Sequence, residues 1–361
     1  VSATAAPPPA AGWLERLRTH FFYTPGAGIV SLAVAAVLGW LAARGLGWGV
    51  RDAVFAPDYQ ACRDAAGACW GFVAEKWRLI LFGRYPYEEQ WRPAVATTAI
   101  VLMLAATAWP GLWTRRGARA LAAGWAAAFI VFFGLMFGGV AGLTRVGTEL
   151  WGGLPLTVIL TLIGMTASAP LGIALALGRR SRLPLVRALS VAYIELVRGV
   201  PLITVLFVAT FILPLVLPAG WRIDPFWRIV IGIVLFQAAY MAETVRGGLQ
   251  TLPRGQTLAA QSLGLTWWQM QASVILPQAL VAIIPAFVNS LLSTFMDTSL
   301  VTVVSMYDLT GSLRLALGDP QWREFFVEGY LFIAAIYFVA SFGMSRYSLW
   351  LEQRLKADRS H

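Results

Sequence analysis

Glu195 and Arg198 stand three residues apart in an otherwise apolar run, so a carboxylate and a guanidinium share one face of a helix. Ionisable groups inside such runs are costly and are kept for function or as mutual partners. The planar fork of Arg198 suits bidentate contact with a ligand carboxylate; alternatively, the two side chains neutralise each other and hold helices in register. Asp297 opens Asp297-Thr298-Ser299, and Asn289 and Ser293 precede it by eight and four residues on the same helical face. An acid with neighbouring hydroxyls can receive an ammonium group, but Asp before Thr-Ser is also a capping context. Glu243 and Arg246, again three apart, read as an ion pair near a helix end.

Other chemistries lack their groups. The histidines are His20 and His361 and the cysteines Cys62 and Cys69, a set that cannot build a tetrahedral metal site, so no metal is expected. No clustered acids offer general acid–base work, and no enzyme activity is expected. A Gly-x-x-x-x-Gly-Lys-Ser/Thr run to cradle nucleotide phosphates is absent, so the chain is expected to carry no cofactor itself. In an oxidising compartment Cys62 and Cys69 can close a short disulfide loop; two free thiols are the alternative.

The elements that position these groups are membrane helices. The chain is 58% hydrophobic and only 13% charged, against about 25% charged in soluble domains. Runs of about 20 apolar residues recur, each enough to cross about 30 Å of hydrocarbon as helix. Backbone groups in lipid must be satisfied internally, so the spans are helical. Eight are expected, near 28–47, 94–113, 121–143, 155–177, 189–217, 226–245, 279–295 and 326–349. Pro214 and Pro218 should disturb the end of the fifth, and Gly199-Val200-Pro201, just after Arg198, should loosen it. The stretch 299–317 contains Asp308 and Arg314 and reads as interfacial or partly re-entrant.

Basic clusters set the orientation. Arg115, Arg116 and Arg119 crowd one loop, Arg179, Arg180, Arg182 and Arg187 another, and Arg346, Arg354, Lys356 and Arg359 follow the last span. With eight spans these clusters and both termini share one side, expected to be cytoplasmic. The opposite loop, 51–92, has six basic and six acidic residues and no bias. The net charge of +10 is thus a topology signal; no aromatic-interleaved basic groove accompanies it, and nucleic acid is not an expected partner. Pro7, Pro8 and Pro9 read as a disordered lead, and 13–23 as an amphipathic helix at the membrane surface, retained rather than cleaved. The many tryptophans, Trp221, Trp227, Trp267 and Trp268 among them, read as an interfacial belt.

Between the sixth and seventh spans runs Ala239-Tyr240-Met241-Ala242-Glu243-Thr244-Val245-Arg246-Gly247-Gly248, continuing to Gly255-Gln256, Ala259-Ala260, Gly264 and Val274-Ile275-Leu276-Pro277. A helix over 256–263 is predicted, then a turn at Gly264, which tolerates positive φ, then a helix whose span starts at Pro277. This stretch resembles the signature loop of ATP-binding-cassette (ABC) importer permeases: Glu-Ala-Ala, three residues, Gly, nine residues, Ile-x-Leu-Pro. Ala259, Ala260, Gly264, Val274, Leu276 and Pro277 occupy its positions, while Leu258 replaces the glutamate. The upstream run resembles the subfamily that imports polar amino acids.

The resemblance covers 145–355 and implies an all-α integral membrane protein with a five-helix permease core, whose coupling loop is 247–277. Three extra helices within 28–144, with an outer loop 50–93 containing Phe82-Gly83-Arg84-Tyr85-Pro86, look like the larger permease subunit of general L-amino-acid importers. Tails of 1–27 and 356–361 complete the chain. The resemblance implies that Gln256, Leu258, Ala259, Ala260 and Gly264 engage a partner ATPase, which binds ATP and Mg. The family resemblance implies a polar run near Asp297 along the substrate pathway; the residues themselves add Arg198, Glu195, Asn289, Thr298 and Ser299 as candidates there and Glu243–Arg246 as a brace. The implied partners are two ATPase subunits, a second, non-identical permease, a periplasmic solute-binding protein, an L-amino acid and lipid of a bacterial inner membrane. An ion-gradient-driven transporter is the main rival; it should show two repeated halves, and no such repeat is evident.

Overall fold

The structure is a computed structural model describing Gly12 and residues 19–140, 142–218 and 220–359. The lead at Pro7–Pro9 and residues 13–18 of the expected surface helix lie outside the described residues. The chain forms two compact units, Val1–Ala74 and Glu75–His361.

In the first unit α1, Pro25–Leu46, starts where the Thr24 side chain accepts from Ala27 N and Pro25 presets the helical φ. A π-helical turn, Gly47–Arg51, ends it. The loop that follows is folded. α2, Tyr59–Asp64, is capped by Asp58, a disulfide joins Cys62 and Cys69 with their Cα atoms 5.2 Å apart, and the Trp70 indole donates to Gly49 O at 2.7 Å. The thiols are therefore not free.

α3, Gly71–Phe82, leads into the second unit. There follow α4 (Trp91–Ala108), α5 (Arg115–Phe137), α6 (Gly153–Arg179), α7 (Pro184–Arg198), α8 (Leu202–Val216), α9 (Pro225–Gln250), α10 (Arg254–Ser262), α11 (Trp267–Met270), α12 (Leu276–Asp297), α13 (Leu309–Ala316) and α14 (Phe326–Arg359). Among the described residues seven helices are long and apolar enough to cross a membrane, or eight if the bent α7–α8 pair is one span. The fifth expected span, 189–217, is not one helix: the loosening expected at Gly199-Val200-Pro201 is a sharp bend, where α7 and α8 meet at 107°. Pro201 lacks an N–H, and its ring bars Val200 from helical geometry, so the chain must turn at Gly199-Val200-Pro201.

The α6–α9 pair forms the centre. Gly164 lies against Ile233 and Gly172 against Met241 and Ala242, so the two helices approach closely. Their Gly153 and Pro225 ends are packed by Phe132, Phe133 and Phe137 of α5 around Trp151, whose ring is 4.6 Å from Phe137 and 5.3 Å from Phe226. Trp227 stacks on Phe133 at 6.0 Å, so it belongs to this packing and not only to an interfacial belt. Arg92, counted above as a loop charge, is wholly buried. It donates to Leu135 O at 2.6 Å and Thr144 O at 3.0 Å and pairs with Glu89, tying α4 to the end of α5.

The stretch after α12 is neither a span nor a surface loop. A 3-10 turn, Thr298–Val304, ends at Ser305 with φ +66°, and Tyr307–Asp308 then pairs with Gly152–Gly153. Asp308 is fully buried and accepts from Gly311 N (2.8 Å), Thr302 Oγ1 (3.0 Å) and the Tyr337 hydroxyl (3.2 Å). Burial pushes its carboxyl above the usual carboxylate range, while these donors pull it back. Phe82-Gly83-Arg84-Tyr85-Pro86 is fastened to the same place: Arg84 donates to Glu149 O at 2.5 Å and lies over the Tyr307 ring.

Candidate functional site

The elbow expected around Gly264 is present. α10 covers Arg254–Ser262, and Gly264 takes φ +70°, a left-handed conformation that favours glycine. The next helix opens with a capping box: Gln269 N donates to Thr266 Oγ1 at 3.4 Å, and Thr266 N donates to Gln269 Oε1 at 2.9 Å. The Thr-x-x-Gln spacing at 266–269 carried that signal in the sequence. The seventh span does not begin at Pro277, which corrects the expectation. It runs from Trp267 through a π turn, Gln271–Ile275, into α12. The Leu276 N–H reaches back to Gln271 O, and widening the register there accommodates Pro277, which has no N–H to give.

The elbow has an inner and an outer face. Ala260 is buried with Leu249, Met270 and Ile275, and Gln278 Nε2 donates to Gln256 Oε1 at 3.4 Å, bracing α10 against α12. Outward point Ala259, Leu258 at 62% exposure, Leu263 at 79% and Trp268 at 72%. Large exposed apolar side chains clustered together mark a contact surface.

A charge cluster stands behind the elbow. Glu243 Oε1 receives Arg179 Nη1 at 2.7 Å; its Oε2 receives Arg246 Nη2 at 2.7 Å and faces Arg198 Nη1 at 4.0 Å. Glu195 reaches Arg179 at 3.2 Å. The expected Glu243–Arg246 pair is thus one edge of a larger network, and Glu195 and Arg198 do not pair with each other. Each points to a neighbouring helix because α7 ends at Arg198 and turns away. The Arg198 guanidinium also lies 5.6 Å from the Tyr240 ring centre. Neither arginine partner was visible from local spacing, since Arg179 and Glu243 are 64 residues apart.

Asn289, Ser293 and Asp297 fall along one face of α12, the first two exposed and Asp297 half-buried. Asp297 makes no capping bond, which corrects the capping alternative, and no hydrogen bond or ion pair involves its carboxylate among the described residues. Thr298 is buried and donates to Phe295 O at 2.8 Å, so its hydroxyl is committed to the backbone; Ser299 is half-buried.

Long apolar helices, a broken span and an exposed elbow before the sixth long helix define a polytopic transport subunit. Residues 168–357 match the family described as binding-protein-dependent transport system inner membrane component. The chain is 46% identical over 316 residues to the inner membrane amino-acid ABC transporter permease protein YhdY of Escherichia coli (strain K12), covering 87% of this chain and 85% of that one. It is 33% identical over 416 aligned positions to the glutamate/glutamine/aspartate/asparagine transport system permease protein BztC of Rhodobacter capsulatus, covering 98% and 96%. The crystal structure of an amino acid ABC transporter with histidines aligns at TM-score 0.50 and 32% identity over 56% of this chain and 92% of that one. The chain belongs to the family of inner-membrane permease components of binding-protein-dependent ABC transport systems. It is a multi-pass membrane protein, and its similarity to the two long relatives extends before the matched core into the added helices.

Proposed function

We propose that this chain is the larger permease subunit of an ATP-driven importer of polar or general L-amino acids, forming half of the translocation pathway. The single observation that carries the coupling part is the elbow: a short helix fastened on its Ala260 side, with Leu258 exposed on it and Leu263 exposed at the turn that follows. Leu258 offers apolar packing where the family motif has an acid, and a second, non-identical permease keeps that acid. ATP closing a pair of partner ATPases would push this tip, and α10, braced to α12 by Gln256 and Gln278, would transmit the push. The result is a shift between inward- and outward-facing packings. A periplasmic solute-binding protein delivers the cargo at the Gly152 end. ATP and Mg stay on the partner, and both termini lie in the cytoplasm.

Asp297 is the group we assign to the cargo, with Asn289 about 12 Å away on the same face of α12. A half-buried carboxylate without a protein partner in a membrane helix calls for a cation, and every free amino acid carries an α-ammonium. Arg198 and Glu195 serve instead with Glu243, Arg246 and Arg179 as the brace behind the elbow, and Thr298 and Ser299 shape the turn after α12. The relatives' printed cargo, amino acids including glutamate and glutamine, fits this assignment. The assembled complex in liposomes tests it: ATP hydrolysis should rise with amino-acid-loaded binding protein, and uptake driven by an ion gradient without ATP would refute it.

A further inference from the structure

A cleft of about 1220 Å³ opens between the Arg179 end of α6, the start of α7, the Gln250 end of α9 and the elbow. Its lining changes character along its length. Ile173, Ala174 and Leu177 make one wall apolar, and Pro170 lies ten residues from Arg180, about 15 Å along a helix. The mouth carries Arg180, Arg182 and Arg254, all exposed, and no Asp or Glu lines any part of it. None of these three guanidiniums has a hydrogen-bond or ion-pair partner among the described residues, unlike Arg179 one position earlier. Gln271 also lines the cleft, and its buried Oε1 has no donor. Trp267 stands at the rim, a residue suited to the headgroup level.

We propose that this cleft binds an anionic phospholipid, with its phosphate on Arg180, Arg182 and Arg254 and an acyl chain along Ile173, Ala174 and Leu177. An apolar wall about 10 Å long, from Pro170 to Leu177, that ends in uncompensated positive charge matches such a lipid. Phosphatidylglycerol carries a net negative charge for these arginines, whereas the choline of phosphatidylcholine cancels that of its phosphate. The lipid touches α6, α7 and the Arg254, Thr257 and Gln261 face of α10 at once, so it staples the elbow to the membrane core. Only the leaflet it comes from rests on the orientation proposed above; binding itself does not.

The test is native mass spectrometry of the purified, delipidated transporter with its ATPase bound, titrated with phosphatidylglycerol or phosphatidylcholine in detergent. Preferential retention of phosphatidylglycerol is expected. Arg180→Gln, Arg182→Gln and Arg254→Gln should each weaken it about fivefold, and Ala174→Trp should block it with the arginines intact. Equal retention of the two lipids by the unaltered complex overturns the proposal without recourse to any variant. So does displacement by sn-glycerol 3-phosphate at equal concentration, which would mean a free-phosphate site. Lipid retained by the isolated chain but lost from the assembled complex would mean that protein covers the cleft, and would also overturn it. ATP hydrolysis stimulated by binding protein is read separately, so failure of the transport assignment is distinguishable.

Discussion

At the Gly152 end of the α6–α9 pair, backbone meets backbone; at the Arg179 end, charge meets water. The first end joins Gly83, Gly152–Gly153 and Tyr307–Asp308, where a Cβ on Gly83 would stand 2.7 Å from Gly152 Cα, and surrounds them with buried aromatics. Nothing there can shift without breaking several contacts together. The second end holds its helices through Glu243 and its arginines, part-exposed pairs whose strength is modest and which can exchange partners. The difference teaches where motion would belong under the proposed coupling: the closed end would serve as the fixed part, and the charged end, with its exposed elbow, would respond to a partner.

Gly153 gives the largest effect by which to break this contrast. It takes φ +64°, and a side chain would run into the Leu81 carbonyl, so Gly153→Val should cost on the order of 3 kcal/mol or more. Thermal unfolding in detergent should show it, and a variant as stable as the parent would mean that the end is not rigid. Glu243→Gln should cost about 1–3 kcal/mol by removing the charge that three arginines face. Glu195→Gln, with 57% of that side chain exposed, should stay within about 1 kcal/mol; the same unfolding assay compares them.

Asp297→Asn should separate function from stability. With no protein partner to lose, its unfolding temperature should be unchanged, while uptake at low substrate concentration should fall about tenfold or more, as for loss of a charge-assisted contact. Unaltered uptake would remove Asp297 from the pathway. The smallest effect is at the closed end, where Lys76 Nζ donates to Asp319 at 2.9 Å and holds that carboxyl below its ordinary range. A depressed carboxylate adds stability that is present above the unfolded pKa, near 3.9, and is lost as pH falls through the lower folded pKa. Asp319→Asn should therefore lower stability by less than about 1 kcal/mol at pH 7, and the deficit should shrink as pH falls below the unfolded pKa.

The spans and the elbow were legible because their signals are local. Twenty apolar residues declare a helix by themselves, and Gly264 and Pro277 punctuate the chain within a few residues of what they control. Even so, Pro277 misled: its missing N–H was absorbed by a π turn one step earlier, so the helix passed through it. The 107° break at Gly199–Pro201 was signalled only as loosening, because sequence gives the breaker but not the angle. The ion pairs of Glu243 with Arg179, the burial of Arg92 and the knot at Asp308 join residues far apart along the chain, and no window of spacing contains them. Asp297 was found from its Thr-Ser context and the helical spacing of Asn289 and Ser293, yet only the structure shows that its carboxylate has no partner among the described residues.

The claim on which the rest depends is that the Gly264 elbow faces the cytoplasm and seats on an ATPase. Leu263→Cys places a lone thiol at its tip, since Cys62 and Cys69 are joined in a disulfide. In the assembled transporter a short bifunctional crosslinker should join this cysteine to the ATPase, and Trp221→Cys, in the loop between α8 and α9, should give no such product. A crosslink from Trp221→Cys, or labelling of Leu263→Cys by an impermeant thiol reagent added outside intact cells, would contradict the account.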